Sequence, residues 1–189
     1  MTQKSTFIQN LFKDKRDGYY VELGAYHSQE ISDTYTLEKN WGWKGVSFEI
    51  QEDLRSEFNL NRSNECMGNA LTFNYINYFE DNNFPKQIDY LSVDIDSGYT
   101  LEGRPVANQY STLLGLISLP LTQYRFSFIA FEHDANMYYK NIVMRDTQRE
   151  ILDSLGYVLL QRHHHEDWWV DPAVFPLDEC KKYLKWVHL

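Results

Sequence analysis

Two stretches decide the reading: Tyr19-Tyr20-Val21-Glu22-Leu23-Gly24, and after it Val46-Ser47-Phe48-Glu49. The first has the β-branched and aromatic content of a buried strand and ends in a carboxylate and a glycine. The second is another apolar strand that ends in a carboxylate. In an open α/β sheet, ligands bind beyond the carboxyl ends of the strands. Glycine at such a tip permits close backbone approach. A carboxylate on the neighbouring tip suits a vicinal pair of ribose hydroxyls. The pair therefore predicts a nucleoside-containing cofactor.

Working outward, strand and helix patterns alternate, which predicts a mostly parallel sheet with helices on both faces. A helix near Thr34–Asn40 is announced by Ser32 or Asp33 as its N-cap, and Gly42 and Gly45 bracket the turn into the second strand. A helix from about Glu52 to Leu60 carries Leu54 and Phe58 one turn apart. Cys66–Ala70 reads as a short third strand and Ile88–Asp94 as a fourth, buried on both sides. A helix over Tyr110–Leu119 is stopped by Pro120. Arg125–Phe131 is the fifth strand, and a helix bearing Met144, Ile151, Leu152 and Leu155 ends at Gly156. Tyr157–Gln161 and Trp168–Val170 form a closing pair with an antiparallel C-terminal strand, and Asp178–His188 reads as a last short helix. No repeat or Gly/Ser linker interrupts the pattern, so residues 1–189 read as a single domain.

The 43% hydrophobic content is enough for a substantial core. A net charge of −9 argues against a general nucleic-acid surface, which needs a basic stripe. No apolar run reaches membrane-spanning length, and the start lacks a signal-peptide core. Cys66 and Cys180 have no CxxC spacing and read as reduced structural thiols. A cytoplasmic protein without membrane or nucleic-acid partners is expected; oligomeric state is not readable.

The Glu22-Leu-Gly24-Ala25-Tyr26 turn is neither GxGxxG nor a Walker A loop. Glu22 would repel phosphate, whereas a carboxylate suits an ammonium or hydroxyl, so a cationic, phosphate-free ligand such as S-adenosylmethionine fits better than NAD. Asp94 and Asp96 share one side of an extended segment. Glu132, His133 and Asp134 end the fifth strand. Two chemistries compete there. His133 could serve as general base for an acceptor hydroxyl, or Asp94, Asp96 and Glu132 could hold a hard divalent ion such as Mg²⁺. In the run His163-His164-His165, at most His163 and His165 share a face, and a solvated loop or acceptor-site rim is the reading. Arg145 and Arg149 read as solvated helix charges.

These blocks together resemble the FkbM-type methyltransferases. The similarity runs through Tyr20-Val-Glu22-Leu-Gly24-Ala25, Ser32-Asp33-Thr34, Leu37-Glu38-Lys39, Gly42-Trp43-Lys44-Gly45, Phe48-Glu49, Ile88–Asp96, Phe131-Glu132-His133 and Glu166–Val170. It spans about residues 18 to 175. The resemblance implies a Rossmann-like class I methyltransferase fold and an S-adenosylmethionine-dependent O-methyltransferase acting on a hydroxyl of a sugar, glycan or small natural product. By it, Glu22, Gly24, Ala25 and Tyr26 would line the cofactor's methionine part, Glu49 would take the ribose, Asn69 and Ala70 would lie near adenine, and Asp94 near the sulfonium. The chain departs from the family pattern at Ser28, where a glycine usually closes the first loop, at Ile50 in place of proline, and at Asp94-Ile-Asp96-Ser97 in place of Asp-x-Glu-Gly. The segment between Ser97 and Tyr124 is also longer than expected. The alternatives are a non-catalytic nucleoside- or glycan-binding module and a metal-dependent hydrolase using Asp94, Asp96 and Glu132.

Overall fold

The computed structural model describes residues 3–13, 15–95 and 110–184. Seven strands form one sheet: β1 (Tyr19–Leu23), β2 (Lys44–Phe48), β3 (Glu65–Met67), β4 (Gln87–Val93), β5 (Arg125–Glu132), β6 (Val158–Arg162) and β7 (Glu166–Val170). Their order is β3-β2-β1-β4-β5-β7-β6. Strands β1 to β5 pair in parallel, and β7 runs antiparallel between β5 and β6. The order reverses beside β1, as the sequence led us to expect, so the tips of β1, β2 and β4 meet at a switch point.

Period-two alternation sorts side chains to two faces. Val21, Leu23, Val46, Phe48, Leu91, Val93 and Phe131 pack with Tyr75 and Phe79 of α4 (Tyr75–Asp81), Leu113 and Leu116 of α5 (Ser111–Ser118), and Met144 and Leu152 of α6 (Asn141–Ser154). On the other face Tyr20, Tyr90, Phe128 and Trp168 meet Phe7, Ile8 and Leu11 of α1 (Gln3–Leu11) and Leu37 of α2 (Asp33–Trp41). Ser32 caps α2 by accepting from Tyr35 N–H, and Gly42 closes it at φ +70°. The predicted third strand stops at Met67, because Asn69 accepts from Leu71 N–H and starts a 3₁₀ turn. The helix α3 (Glu52–Asn61) matches its predicted start; the C-terminal α7 (Leu177–Cys180) is shorter than predicted, and residues 185–188 of that prediction lie outside the described residues. Two helices, α1 and α4, were missed. Cys66 and Cys180 are free and buried. Among the described residues no helix is long and apolar enough to cross a membrane.

Candidate functional site

Backbone hydrogen bonds lock the three strand tips together. The N–H groups of Gly24 and Ala25 both donate to Phe48 O at 2.9 Å, and Asp94 N–H donates to Leu23 O at 2.8 Å. Gly24 has φ +87°, and a Cβ built there would lie 1.7 Å from Asp94 O. The glycine is thus required by the protein's own neighbouring loop, a second reason beside access for a ligand. After it the chain turns through Tyr26, which takes φ +50° and stays half exposed. Tyr26 N–H donates to Glu49 Oε2 at 3.1 Å, and Gln51 N–H donates to Oε1 at 2.7 Å. Glu49 is therefore aimed before any ligand arrives. A carboxylate has about four acceptor positions, so two remain for hydroxyl donors. Asn69 is exposed beside this tip and Ala70 is buried, with its carbonyl accepting from Tyr75 at 2.8 Å. Gly24, Ala25, Tyr26, Glu49 and Asp94 come together. Asp96 lies outside the described residues.

Glu22 behaves differently from the sequence expectation. It is buried, and Oε2 accepts from Ser47 Oγ at 2.7 Å and Thr34 Oγ1 at 2.9 Å. Those hydroxyls, and not open space, face its carboxylate, because alternation turns Glu22 toward α2. Burial raises its pKa from 4.5 to about 7, against the opposing pull of Arg62 and the two hydroxyl hydrogen bonds. The folded state therefore binds the proton more tightly than the unfolded chain does. Stability contributed by the neutral form is fully present below about pH 4.5 and is lost as pH rises through about 7. A shift of this size corresponds to roughly 3 kcal/mol. Glu22→Gln should flatten that slope and unfold at higher urea than the parent at pH 8, with the gain shrinking at pH 5; an unchanged pH slope would contradict the buried-acid account.

Glu132 and His133 part company. Register pairs Val93 with Phe131, so Asp94 and Glu132 are neighbours on the strand tips. Burial, then a hydrogen bond and charge from Asp94, push Glu132 far above the ordinary carboxylate range. Burial and Asp94 also raise Asp134. One proton shared between like acids is the physical outcome. Lys4 flanks this cluster, with Nζ 2.7 Å from Glu166 and 3.1 Å from Asp33. His133, one residue on, projects to the opposite face and is 2% exposed. Its Nδ1 accepts from Ala135 N–H at 3.1 Å, and Nε2 lies 3.7 Å from Asp167. The lone pair that a general base would use is already engaged, so the expectation for His133 is corrected: it anchors the turn after β5. Asp167 in turn receives Arg149 Nε and Nη2 at 2.7 and 2.8 Å and Gln148 Nε2 at 2.6 Å. Arg149 is thus not a solvated charge. Among the described residues no group of three His, Cys, Asp or Glu side chains could hold a metal ion. The divalent-ion set expected on Asp94, Asp96 and Glu132 includes Asp96, which lies outside the described residues. The His163 ring packs tilted against Trp168, with ring centroids 4.4 Å apart and planes at 54°, and burial lowers its pKa.

The departure at Ser28 has a local cause. Ser28 is fully buried, and its N–H and Oγ both donate to the Glu57 carboxylate. A glycine could not supply that hydroxyl. A cavity of about 300 Å³ lined by Leu11, Phe12, Asp89, Phe175, Cys180 and Tyr183 opens elsewhere, and none of the candidate residues lines it.

Sheet order and switch point can be set beside solved structures. An O-methyltransferase from Bacillus cereus, in complex with SAH, superposes with TM-score 0.54 at 16% identity, over 90% of this chain and 80% of that one. The chain has the class I methyltransferase fold. Fibrillarin from Aeropyrum pernix, with natively bound S-adenosyl-L-methionine, gives 0.51 at 11% identity over 88% and 74%. A TehB-like SAM-dependent methyltransferase from Corynebacterium glutamicum gives 0.50 at 9% over 90% and 88%. No protein-family model and no curated protein sequence matches the chain. Within this fold, Arg62 and Lys4 escaped sequence reasoning, whereas the meeting of Asp94 and Glu132 was expected from the adjacent parallel strand ends. The apolar spacing of Phe7, Ile8 and Leu11 was the available sign of the helix carrying Lys4. Nothing local marks Arg62, whose partners come from three other segments.

Proposed function

We propose that the chain is an S-adenosylmethionine-dependent methyltransferase that acts, as a single domain, on an oxygen acceptor. The observation that carries this reading is the convergence of Gly24, Glu49 and Asp94 at the switch point of a class I methyltransferase sheet. Acidic tips fit a ligand with a cationic arm and a ribose. The bound cofactor would supply an electrophilic methyl group on sulfur. Glu49, with two free acceptor positions, would hold the ribose hydroxyls; Asn69 and Ala70 would border the adenine. Proton removal from the acceptor falls to the Asp94–Glu132 pair in place of His133. Burial and Asp94 hold Glu132 in its protonated form, so Glu132 would donate to Asp94 and leave an Asp94 oxygen to take the acceptor's hydroxyl proton, while the methyl carbon would pass from sulfur to the acceptor oxygen and the sulfur would leave as a thioether. In-line alignment of that oxygen is the protein's main contribution to rate. The FkbM-type resemblance supports a sugar, glycan or small natural product as acceptor. The net charge of −9 supports an acceptor other than nucleic acid.

Calorimetric titration with S-adenosylmethionine, S-adenosylhomocysteine and NAD, with and without Mg²⁺, tests the reading. Binding of the first two, no binding of NAD and indifference to Mg²⁺ are expected. Glu49→Ala should then weaken both adenosyl ligands by about 1–3 kcal/mol, the worth of charge-assisted hydrogen bonds. Unaltered affinity in that variant would remove Glu49 from the site. Tight binding with no methyl transfer to any of a broad set of hydroxyl acceptors would favour a non-catalytic binding module.

A further inference from the structure

Arg62 follows α3, outside every motif, and its side chain is fully buried. Its Nε donates to Glu38 Oε2 at 2.7 Å. One Nη donates to the carbonyl of Ser28 at 2.8 Å, and the other donates to Tyr20 Oη and Thr34 Oγ1, both at 3.2 Å. The guanidinium lies 4.5 Å from the Phe58 ring centroid and 5.5 Å from that of Tyr35. One planar cation thus joins β1, α2, α3 and the loop that follows Gly24. A fork with five donors fits this task, whereas an ammonium could not span the same acceptors.

We infer that Arg62 is a positioning residue for the cofactor, acting through the loop from Gly24 to Ser28. Its hold on the Ser28 carbonyl fixes the far end of that loop. The near end is fixed by Gly24 and Ala25 on Phe48 O. Between the two anchors lies Tyr26, whose N–H aims Glu49. Ser28 is also tied to Glu57 and Asn61, so α3 grips the loop from two directions. Arg62 further brings a positive charge to the buried carboxylates of Glu38 and Glu22, whose other partners are neutral donors. This inference rests on the methyltransferase reading above.

The test compares wild type, Arg62→Lys and Arg149→Lys for affinity toward S-adenosylmethionine and S-adenosylhomocysteine, with thermal unfolding measured alongside. Arg149→Lys perturbs a part-buried ion pair between α6 and β7, and reports the effect of lost stability alone. Arg62→Lys is expected to weaken both ligands by the same factor, about tenfold, while Arg149→Lys leaves both affinities within about twofold. Equal losses in the two variants, or an unchanged affinity in folded Arg62→Lys, would overturn the assignment. Should Arg62→Lys not fold, Glu38→Gln keeps the shape and removes the charge that orients the guanidinium. It should weaken both ligands about threefold, and wild-type affinity there overturns the assignment equally. A wild-type protein that binds neither ligand defeats the methyltransferase reading itself, before any variant is compared.

Discussion

Gly24→Ala is expected to cost about 3 kcal/mol or more of stability and to abolish cofactor binding. A non-glycine residue at φ +87° carries strain of about 1–3 kcal/mol on its own. The added methyl would also stand 1.7 Å from Asp94 O and 2.7 Å from Asp94 C, both backbone atoms that no rotamer change can move. Relief requires the β1 and β4 tips to separate, which breaks the bond from Asp94 N–H to Leu23 O. The same displacement would carry Tyr26 away from Glu49. Urea unfolding and calorimetry on one preparation would check both effects. A folded alanine variant with parental stability would show that the tips do not pack this closely.

Glu132→Gln carries the second large effect. Turnover should fall by about 10²–10⁴-fold, the usual contribution of positioned acid–base groups, because Glu132 exchanges its proton with Asp94. Affinity for S-adenosylmethionine should stay within about twofold, because the role proposed for Glu132 concerns the acceptor and not the ribose. The amide keeps the shape of the side chain and can still donate to Asp94, but it has no ionisable proton to exchange with it. His133→Ala should give the opposite pattern. It removes a side chain that is 2% exposed and holds Ala135 N–H, so stability falls while turnover at saturating cofactor persists. Rates of methyl transfer beside thermal unfolding for the two variants decide the matter. If His133→Ala loses turnover and Glu132→Gln does not, the base has been assigned to the wrong face of the strand.

The contrast between these two adjacent residues shows where sequence reading stops. Both end β5, and both have the chemistry of a base. Which one meets Asp94 depends on the phase of strand alternation relative to the neighbouring strand, and that phase is fixed by the Val93–Phe131 register. A string of residues does not carry the register. Glu22 is a similar case. Its position before Gly24 marks a strand tip, but alternation turns it toward Ser47 and Thr34. Arg149 looked solvated because its partner, Asp167, is 18 residues away on an antiparallel strand.

From sequence alone came the succession of the strands along the chain, the helices other than α1 and α4, the switch point beside β1, and the convergence of Gly24, Glu49 and Asp94. Those follow from apolar periodicity and from glycine and capping residues, which act over a few neighbours in the chain. Tertiary structure decided which acid is held by backbone N–H groups, which is sealed under hydroxyls, which histidine is spent on a turn, and that one arginine ties four segments together. Such outcomes depend on groups distant in the chain meeting at a few ångströms, where burial and charge set protonation and hydrogen bonding.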